Sequence, residues 1–462
     1  MNDNNTYDVA IIGGGASGTA FLYVLAKYTN IKNIVLIEKY EELGIVNSNP
    51  VNNSQTLHVG DIETNYPLEK ARQVMPAAMM VKRYTDSLSE EEKKPIISSI
   101  QKMVLAIGKD EVEELEKRFL EIGELYPTLK KIGRKEIEEL EPEIIKGRDS
   151  KELVLALYNP EGYAVNFGNL AKSLGEKAKQ IKEKRIDILL GQKVEKIEKG
   201  DSGYTLHSSR GNVYADVVVV DTDAYSLGFA KSLGYGKEFS LIPIAGSFYF
   251  TPQKLQGKVY RVQDKRMPFA AVHGDPDLTK SNVTRWGPTA RFYPVLEARK
   301  IGTMKDFFSS AGIFRIKTWI SFGAILLDPL RFWYLLKNLF YDLPFVGTYF
   351  FLGEVKKIIP TLRWSDITRA KNYGGMRLQR VDTNTRSLLL GEGKILGDNI
   401  LFNMSPSPGA SVSLYNAMRD ADQIIKFNPK VTFAKEDMLR DLCVTHTPLG
   451  ESDPSLSDTY AS

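Results

Sequence analysis

Tyr7-Asp8-Val9-Ala10-Ile11-Ile12-Gly13-Gly14-Gly15-Ala16-Ser17-Gly18 decides the fold. Strand-forming residues run into a glycine turn. A helical pattern follows to Tyr28, and then a second apolar run, Asn33-Ile34-Val35-Leu36-Ile37, ends on Glu38. In that context each glycine has a task. Gly13 permits a tight turn, Gly15 lets the backbone approach a pyrophosphate, and Gly18 lets helix and strand pack closely. Ala16 and Ser17 open the helix, where unpaired N–H groups and the positive dipole end attract phosphate. Glu38 lies twenty residues after Gly18, placed for ribose hydroxyls, with Lys39 beside it. The pattern predicts a bound dinucleotide.

The remaining composition narrows the chemistry. A chain of 462 residues predicts more than one domain. With 61 basic against 57 acidic residues the net charge is +4, which gives no electrostatic claim on nucleic acid. The single Cys443 excludes an internal disulfide, a CxxC redox pair and a cysteine-ligated iron–sulfur cluster within the chain. His58, His207, His273 and His446 show no metal-ligand spacing, so no metal site is expected. Redox chemistry therefore falls to an organic cofactor. Residues 1–6 are polar and show no leader pattern, so the protein is expected in the cytoplasm, on the inner face of the cell membrane. No stretch reaches the roughly 18 apolar residues of a spanning helix.

Along the chain, apolar runs at 7–12, 34–37, 186–190, 215–220 and 399–402 predict one α/β sheet, with helices over 167–183 and 411–425. The segment 388–390 reads as a short strand before a glycine-rich turn. The expected division is a discontinuous cofactor domain over 1–85, 151–240 and 370–430. A substrate domain is expected over 86–150 and 241–369, with a C-terminal extension over 431–462 whose last part is polar and disordered. The turn Ser405-Pro406-Ser407-Pro408-Gly409-Ala410-Ser411 ends a strand and opens a helix. Pro408, Gly409 and Ala410 are expected at the cofactor, where this helix start would aim backbone N–H groups at a reduced flavin, which is anionic near N1 and O2, so FAD is favoured over NAD.

Several further segments carry a family resemblance: Asn53-Ser54-Gln55-Thr56-Leu57-His58, Ile62-Glu63-Thr64-Asn65-Tyr66, Pro243 to Phe250, Pro268 to Asp277, Gly287-Pro288-Thr289-Ala290, and Ser405 to Ala410. On these the chain resembles the FAD-dependent malate:quinone oxidoreductases, in the shorter branch known from epsilonproteobacteria and apicomplexans. The resemblance covers residues 7 to about 425. It implies a glutathione-reductase-like, D-amino-acid-oxidase-type FAD domain interleaved with an α+β substrate domain. It also implies oxidation of (S)-malate to oxaloacetate, with electrons passed to a membrane quinone by a peripheral membrane protein.

Oxidation of a 2-hydroxy acid needs a base, a hydride acceptor and cations for carboxylates. His273, with Asp275 to orient it, is the expected base and matches a family motif. His58 follows a loop resembling the family's flavin-contacting segment, so Ser54, Gln55 and Thr56 are expected on the cofactor and His58 near its ring. Val194 is expected at the cofactor too. The resemblance puts Arg377 on the substrate carboxylate, in bidentate fashion, and Arg285 is the candidate for malate's second carboxylate.

Where family members read Asn-Ala-Gly after the buried strand, this chain has Asp221-Thr222-Asp223. Asp223 is expected at φ > 0, and a carboxylate there would repel FAD phosphates. Residues 305–353 mix many aromatics with Arg315, Lys317, Arg331 and Lys337, a pattern that suits either a bilayer surface or a core. Two alternatives stay open: an FAD enzyme of another 2-hydroxy acid, such as 2-hydroxyglutarate or lactate, and a flavin-binding protein without catalysis.

Overall fold

A computed structural model describes residues 5–263, 272–343, 346–389, 391–405 and 408–443, the Leu326 side chain apart. Pro268 to Ala271, Leu390, Pro406, Ser407, His446 and the expected disordered tail lie outside the described residues.

The predicted sheet forms with the predicted members. Ile400–Met404, Gly211–Val220, Thr6–Ile12, Asn33–Ile37 and Arg185–Leu189 run parallel in that order. Val9 and Ile11 point to a core shared with the helices Ala16–Tyr28, Phe167–Lys179 and Ser413–Phe427. Ala10 and Ile12 point the other way, to the helix Ala224–Ser232 and the strands Val194–Lys199 and Tyr204–Ser208. Burial on both faces is why these strands read as unbroken apolar runs.

Two further sheets stand over this layer. One has eight strands: Thr368–Arg369, Tyr249–Pro252, Val283–Gly287, His273–Pro276, Lys258–Arg261, Ile97–Ile107, Val154–Val165 and Lys130–Gly133. The other has four antiparallel strands: Arg291–Phe292, Phe239–Ala245, Met376–Asp382 and Ser387–Leu389.

Three local expectations change. Gly393–Gly397, read as a turn, is a strand paired antiparallel with Ile400–Met404, because Ile395 is buried and Lys394 is drawn to Asp420 inside. Val154–Val165 pairs with Ile97–Ile107, away from the cofactor sheet, although 151–240 was assigned to that domain. Its Pro160-Glu161-Gly162 looks like a turn, but the strand continues through it beside a register shift between Ile100 and Lys102, where a bulge tolerates proline. Met376–Asp382 likewise pairs with Phe239–Ala245, so its place in the 370–430 cofactor segment also changes.

Residues 304–356 form four helices: Met304–Ala311, Ile316–Leu326, Pro329–Tyr341 and Gly347–Lys356. They contribute to the core through Phe307, Tyr341 and Phe351. They also leave Phe314 87%, Leu327 82%, Trp333 64% and Tyr349 68% exposed. The core reading holds for Phe307, Tyr341 and Phe351, while the exposed aromatics lie on other faces of the segment. Among the described residues no helix is long and apolar enough to cross a membrane.

Candidate active site

A cavity of about 560 Å³ runs from the glycine turn, past the C-terminal ends of the parallel strands, to the strand bearing Arg377. Gly13, Gly15, Ala16 and Ser17 line one end. Gly13 has φ +116°, and a Cβ there would sit 2.4 Å from the Asp221 carbonyl oxygen. Gly15 faces space: a Cβ would meet only Ser48 Oγ, at 3.4 Å. Gly18 does not line the cavity and packs beneath the turn, where its Cβ would lie 2.0 Å from the Gly13 carbonyl oxygen. Backbone must move to relieve that clash. Gly18→Ala is expected to lower the flavin content of the purified protein about tenfold, read from the 450 nm absorbance per protein, since overpacking costs roughly 1–3 kcal/mol.

Glu38 and Lys39 line the neighbouring wall. The Glu38 carboxylate accepts from the N–H groups of Gly14 at 2.7 Å and Tyr40 at 3.0 Å, and burial holds its pKa above the ordinary value. Lys39 pairs with Glu297 and lies 4.1 Å from the centre of the Tyr225 ring. Glu297 also accepts from the hydroxyls of Tyr40 and Tyr225. Burial pushes its pKa up, but Lys39 and these hydrogen bonds outweigh that and hold it at about 2. Glu297 was not foreseen: it lies in a loop with no periodic pattern. Val194, Pro408, Gly409 and Ala410 line the cavity as expected, but the helix behind that turn begins at Ser413.

The loop after Asn49 supplies the opposite wall. Ser54, Thr56 and His58 line the cavity. His58 Nδ1 bonds Glu63 Oε1, and its Nε2 lies 3.1 Å from Ser54 Oγ. Glu63 Oε2 accepts from the Gly60 N–H at 2.9 Å. Burial opposes ionisation of Glu63, yet the His58 charge and hydrogen bond, with Lys102, hold its pKa below the usual value. Ser411 ties this loop to the C-terminal segment, accepting from the His58 N–H at 3.1 Å and donating to the Thr56 carbonyl at 3.3 Å.

Arg377 lines the cavity from the strand Met376–Asp382, opposite Ile244. Among the described residues its side chain makes no ion pair or hydrogen bond, and burial lowers its pKa while Tyr334 and Tyr260 oppose that.

Three expected site residues are elsewhere. Gln55, at φ +53°, turns its side chain into the protein. It donates to the Pro50 carbonyl and to Asp277, and accepts from the Leu278 N–H. Arg285 is fully buried, off the cavity lining, and its two terminal nitrogens donate to the carbonyls of Asn53 at 3.1 Å and Ser54 at 3.0 Å and to Asp275 at 2.9 Å. A substrate carboxylate would have to displace all three. Lys258 joins it, donating to the Ser54 carbonyl at 2.7 Å and to Asp275 at 3.0 Å. His273 is 1% exposed and also off the lining. It stacks on Tyr260, with ring centres 4.3 Å apart, and its Nε2 is 3.8 Å from Asp275 Oδ1. The Tyr260 hydroxyl in turn lies 3.0 Å from Thr56 Oγ1. His273→Leu is therefore expected to cost about 1 kcal/mol of stability in urea unfolding and to keep turnover within about tenfold of wild type.

Asp223 takes φ +51°, the conformation expected of it, and accepts from the Asn47 amide at 3.0 Å. Asp221 shares a buried cluster with Asp420, Glu392, Lys394 and Asn403 under the glycine turn. Burial first, then the Asp420 charge, pushes its pKa up to about 8. At neutral pH that carboxyl is mostly neutral, whereas Asp223, which burial raises only to about 6, keeps its charge beside the Asn47 amide. A carboxyl raised on folding contributes stability that is full below its unfolded pKa, near 4, and lost as pH rises through about 8. Wild-type melting temperature and FAD affinity should both fall from pH 6 to 9, and Asp221→Asn should flatten that fall, in thermal melts and fluorescence titrations across that range.

The lining thus fits a flavin dinucleotide: an open glycine cradle, an acid and a lysine at one end, and polar loop residues at the other. The architecture is also found in solved flavoproteins. Glycine oxidase from Geobacillus kaustophilus superposes with a TM-score of 0.62 at 17% identity, over 96% of this chain and 99% of its own. L-alpha-glycerophosphate oxidase from Mycoplasma pneumoniae, solved with FAD bound, gives 0.61 at 16% identity, over 93% and 96%. Fold and site define a flavoprotein of the D-amino-acid-oxidase type. Within that class, residues 5–342 match the model of the malate:quinone oxidoreductase family. A probable malate:quinone oxidoreductase of Campylobacter jejuni is 41% identical over 91% of this chain and 96% of its own. The malate:quinone oxidoreductase of Helicobacter pylori strain J99 is 38% identical over 94% and 98%. The chain belongs to the malate:quinone oxidoreductase family.

Proposed function

We propose that the protein oxidises (S)-malate to oxaloacetate with FAD as cofactor and a membrane quinone as acceptor. One observation supports the reading at the level of the site: Arg377, a guanidinium with no counterion among the described residues, lines the same cavity as a carboxylate-backed imidazole, His58 with Glu63. Arg377 receives a malate carboxylate through two parallel charge-assisted hydrogen bonds. His58 takes the hydroxyl proton at Nε2, while Glu63, bonded at Nδ1, orients the ring and stabilises the imidazolium. The role of base therefore passes from His273 to His58. FAD held in this cavity would supply the hydride acceptor for malate C2 and the route for electrons to the quinone. Ser54 and Thr56 would form the loop wall beside it, and the turn would offer it the backbone N–H groups of Gly409 and Ala410.

The cofactor sheet with its helices forms the FAD unit, and the two other sheets form the substrate unit, with 154–165 and 376–389 assigned by their strand pairing to the latter. The exposed aromatics of 314–350 and the basic Arg315, Lys317, Arg331 and Lys337 seat the protein on the inner face of the cell membrane, within reach of quinone.

The test is the visible spectrum of the purified protein. Malate should bleach the flavin band without oxygen, and a soluble quinone should restore it. Bleaching by 2-hydroxyglutarate or glycine in preference to malate would reassign the substrate. An unbleached, flavin-loaded protein would leave only a binding role.

A further inference from the structure

The helix Pro329–Tyr341 divides cleanly into two faces. Leu330, Tyr334, Asn338 and Tyr341, spaced by four, four and three residues, face the body. Leu330 and Tyr334 pack on Ile244 and Ala290. Asn338 accepts from the Ala290 N–H at 2.7 Å, and the Tyr341 carbonyl accepts from the Tyr249 hydroxyl at 2.5 Å. Ile244 is the register partner of Arg377. Tyr334 and Arg377 are close enough that each shifts the other's proton affinity. The opposite face carries Phe332, Trp333, Leu339 and Phe340, all exposed. One rigid element thus has apolar anchors on one side and a phenol beside the carboxylate receptor on the other.

We propose that this helix couples docking on an anionic lipid surface to malate binding, with Tyr334 as the positioning residue for Arg377. The inference rests on the membrane seat and the Arg377 site proposed above. The lipid surface is the occupant because aromatic anchors and cations lie together on these helices, a combination that suits anionic headgroups over acyl chains. Burying Phe332, Trp333 and Phe340 holds the helix down on its strands and narrows the positions open to Tyr334. Arg377 is then held in its carboxylate-binding pose in more of the population. Linkage makes the effect reciprocal: a dicarboxylate must tighten lipid binding by the same factor that lipid tightens the dicarboxylate.

The experiment uses the full-length, FAD-loaded protein and succinate, a dicarboxylate without the hydroxyl to be oxidised. Succinate Kd is read from the flavin absorbance change, in buffer and with vesicles of equal parts phosphatidylglycerol and phosphatidylcholine. Vesicles should lower Kd by about fivefold or more, the lower bound of ordinary allosteric coupling, and saturating succinate should tighten vesicle co-sedimentation equally. Trp333→Glu should abolish the vesicle effect. Tyr334→Phe should keep co-sedimentation and lose the coupling. Co-sedimentation with an unchanged succinate Kd overturns the coupling and leaves the membrane seat standing. Absence of co-sedimentation overturns both. Absence of any succinate response in buffer, with vesicle binding intact, overturns the Arg377 site instead.

Discussion

Arg377→Met lowers kcat/KM for malate by roughly 10²–10³-fold. The guanidinium has no protein counterion among the described residues, so its whole binding capacity is available to substrate. Methionine keeps the stem and removes the charge. Malate would then bring a carboxylate into a half-buried site with nothing to receive it. Removing one member of a buried, hydrogen-bonded charge pair costs about 2–5 kcal/mol, and the middle of that range corresponds to the stated factor. The loss should fall on KM and kcat together, because the carboxylate is held in both the bound and the transition state, and its placement aligns C2. Anaerobic stopped-flow reduction separates the two. An unchanged kcat/KM would remove Arg377 from the site. Lysine at this position should recover only part of the loss, since it lacks the planar fork.

His58→Ala slows reduction of the flavin by about 10²–10⁴-fold, the usual contribution of a positioned base. Flavin should stay bound, because the cofactor is gripped along a cavity of about 560 Å³ of which His58 is one small part. Added imidazole should restore part of the rate in that variant. Glu63→Gln preserves the shape of the pair and deletes the charge that stabilises the imidazolium, so it should fall between wild type and His58→Ala. The alternative base is directly distinguishable. If His273→Leu is inactive and His58→Ala stays within tenfold of wild type, the proton leaves by way of His273, and the stack on Tyr260 must open in turnover.

The division between what the sequence revealed and what it hid follows distance along the chain. The stretch from Tyr7 to Glu38 is contiguous, so each glycine's task could be read from spacing, and the five parallel strands announced themselves as apolar runs because both their faces are covered. Asp223 at positive φ was foreseeable from its place at a strand end. Gln55 was not: its neighbours Ser54 and Thr56 line the cavity, while one left-handed residue sends its own side chain to Asp277, 222 positions away. His273 stood inside a family-like segment, and Arg285 two residues before another. The segments matter, but as a frame: Arg285 grips the loop that carries His58. Glu63 stood in a family-like segment but without a role, and Glu297 was silent, because their partners are set by folding.

The carbonyl of Ser54 receives both Lys258 and Arg285, and neither donor belongs to the loop. That wall of the socket is therefore set by protein alone. Emptied of flavin, the chain should keep its receptacle in shape and take the cofactor back at a rate governed by encounter, with no slow refolding phase. Loading then becomes a reversible exchange with the surrounding pool of FAD, and the fraction of active molecules would track that pool.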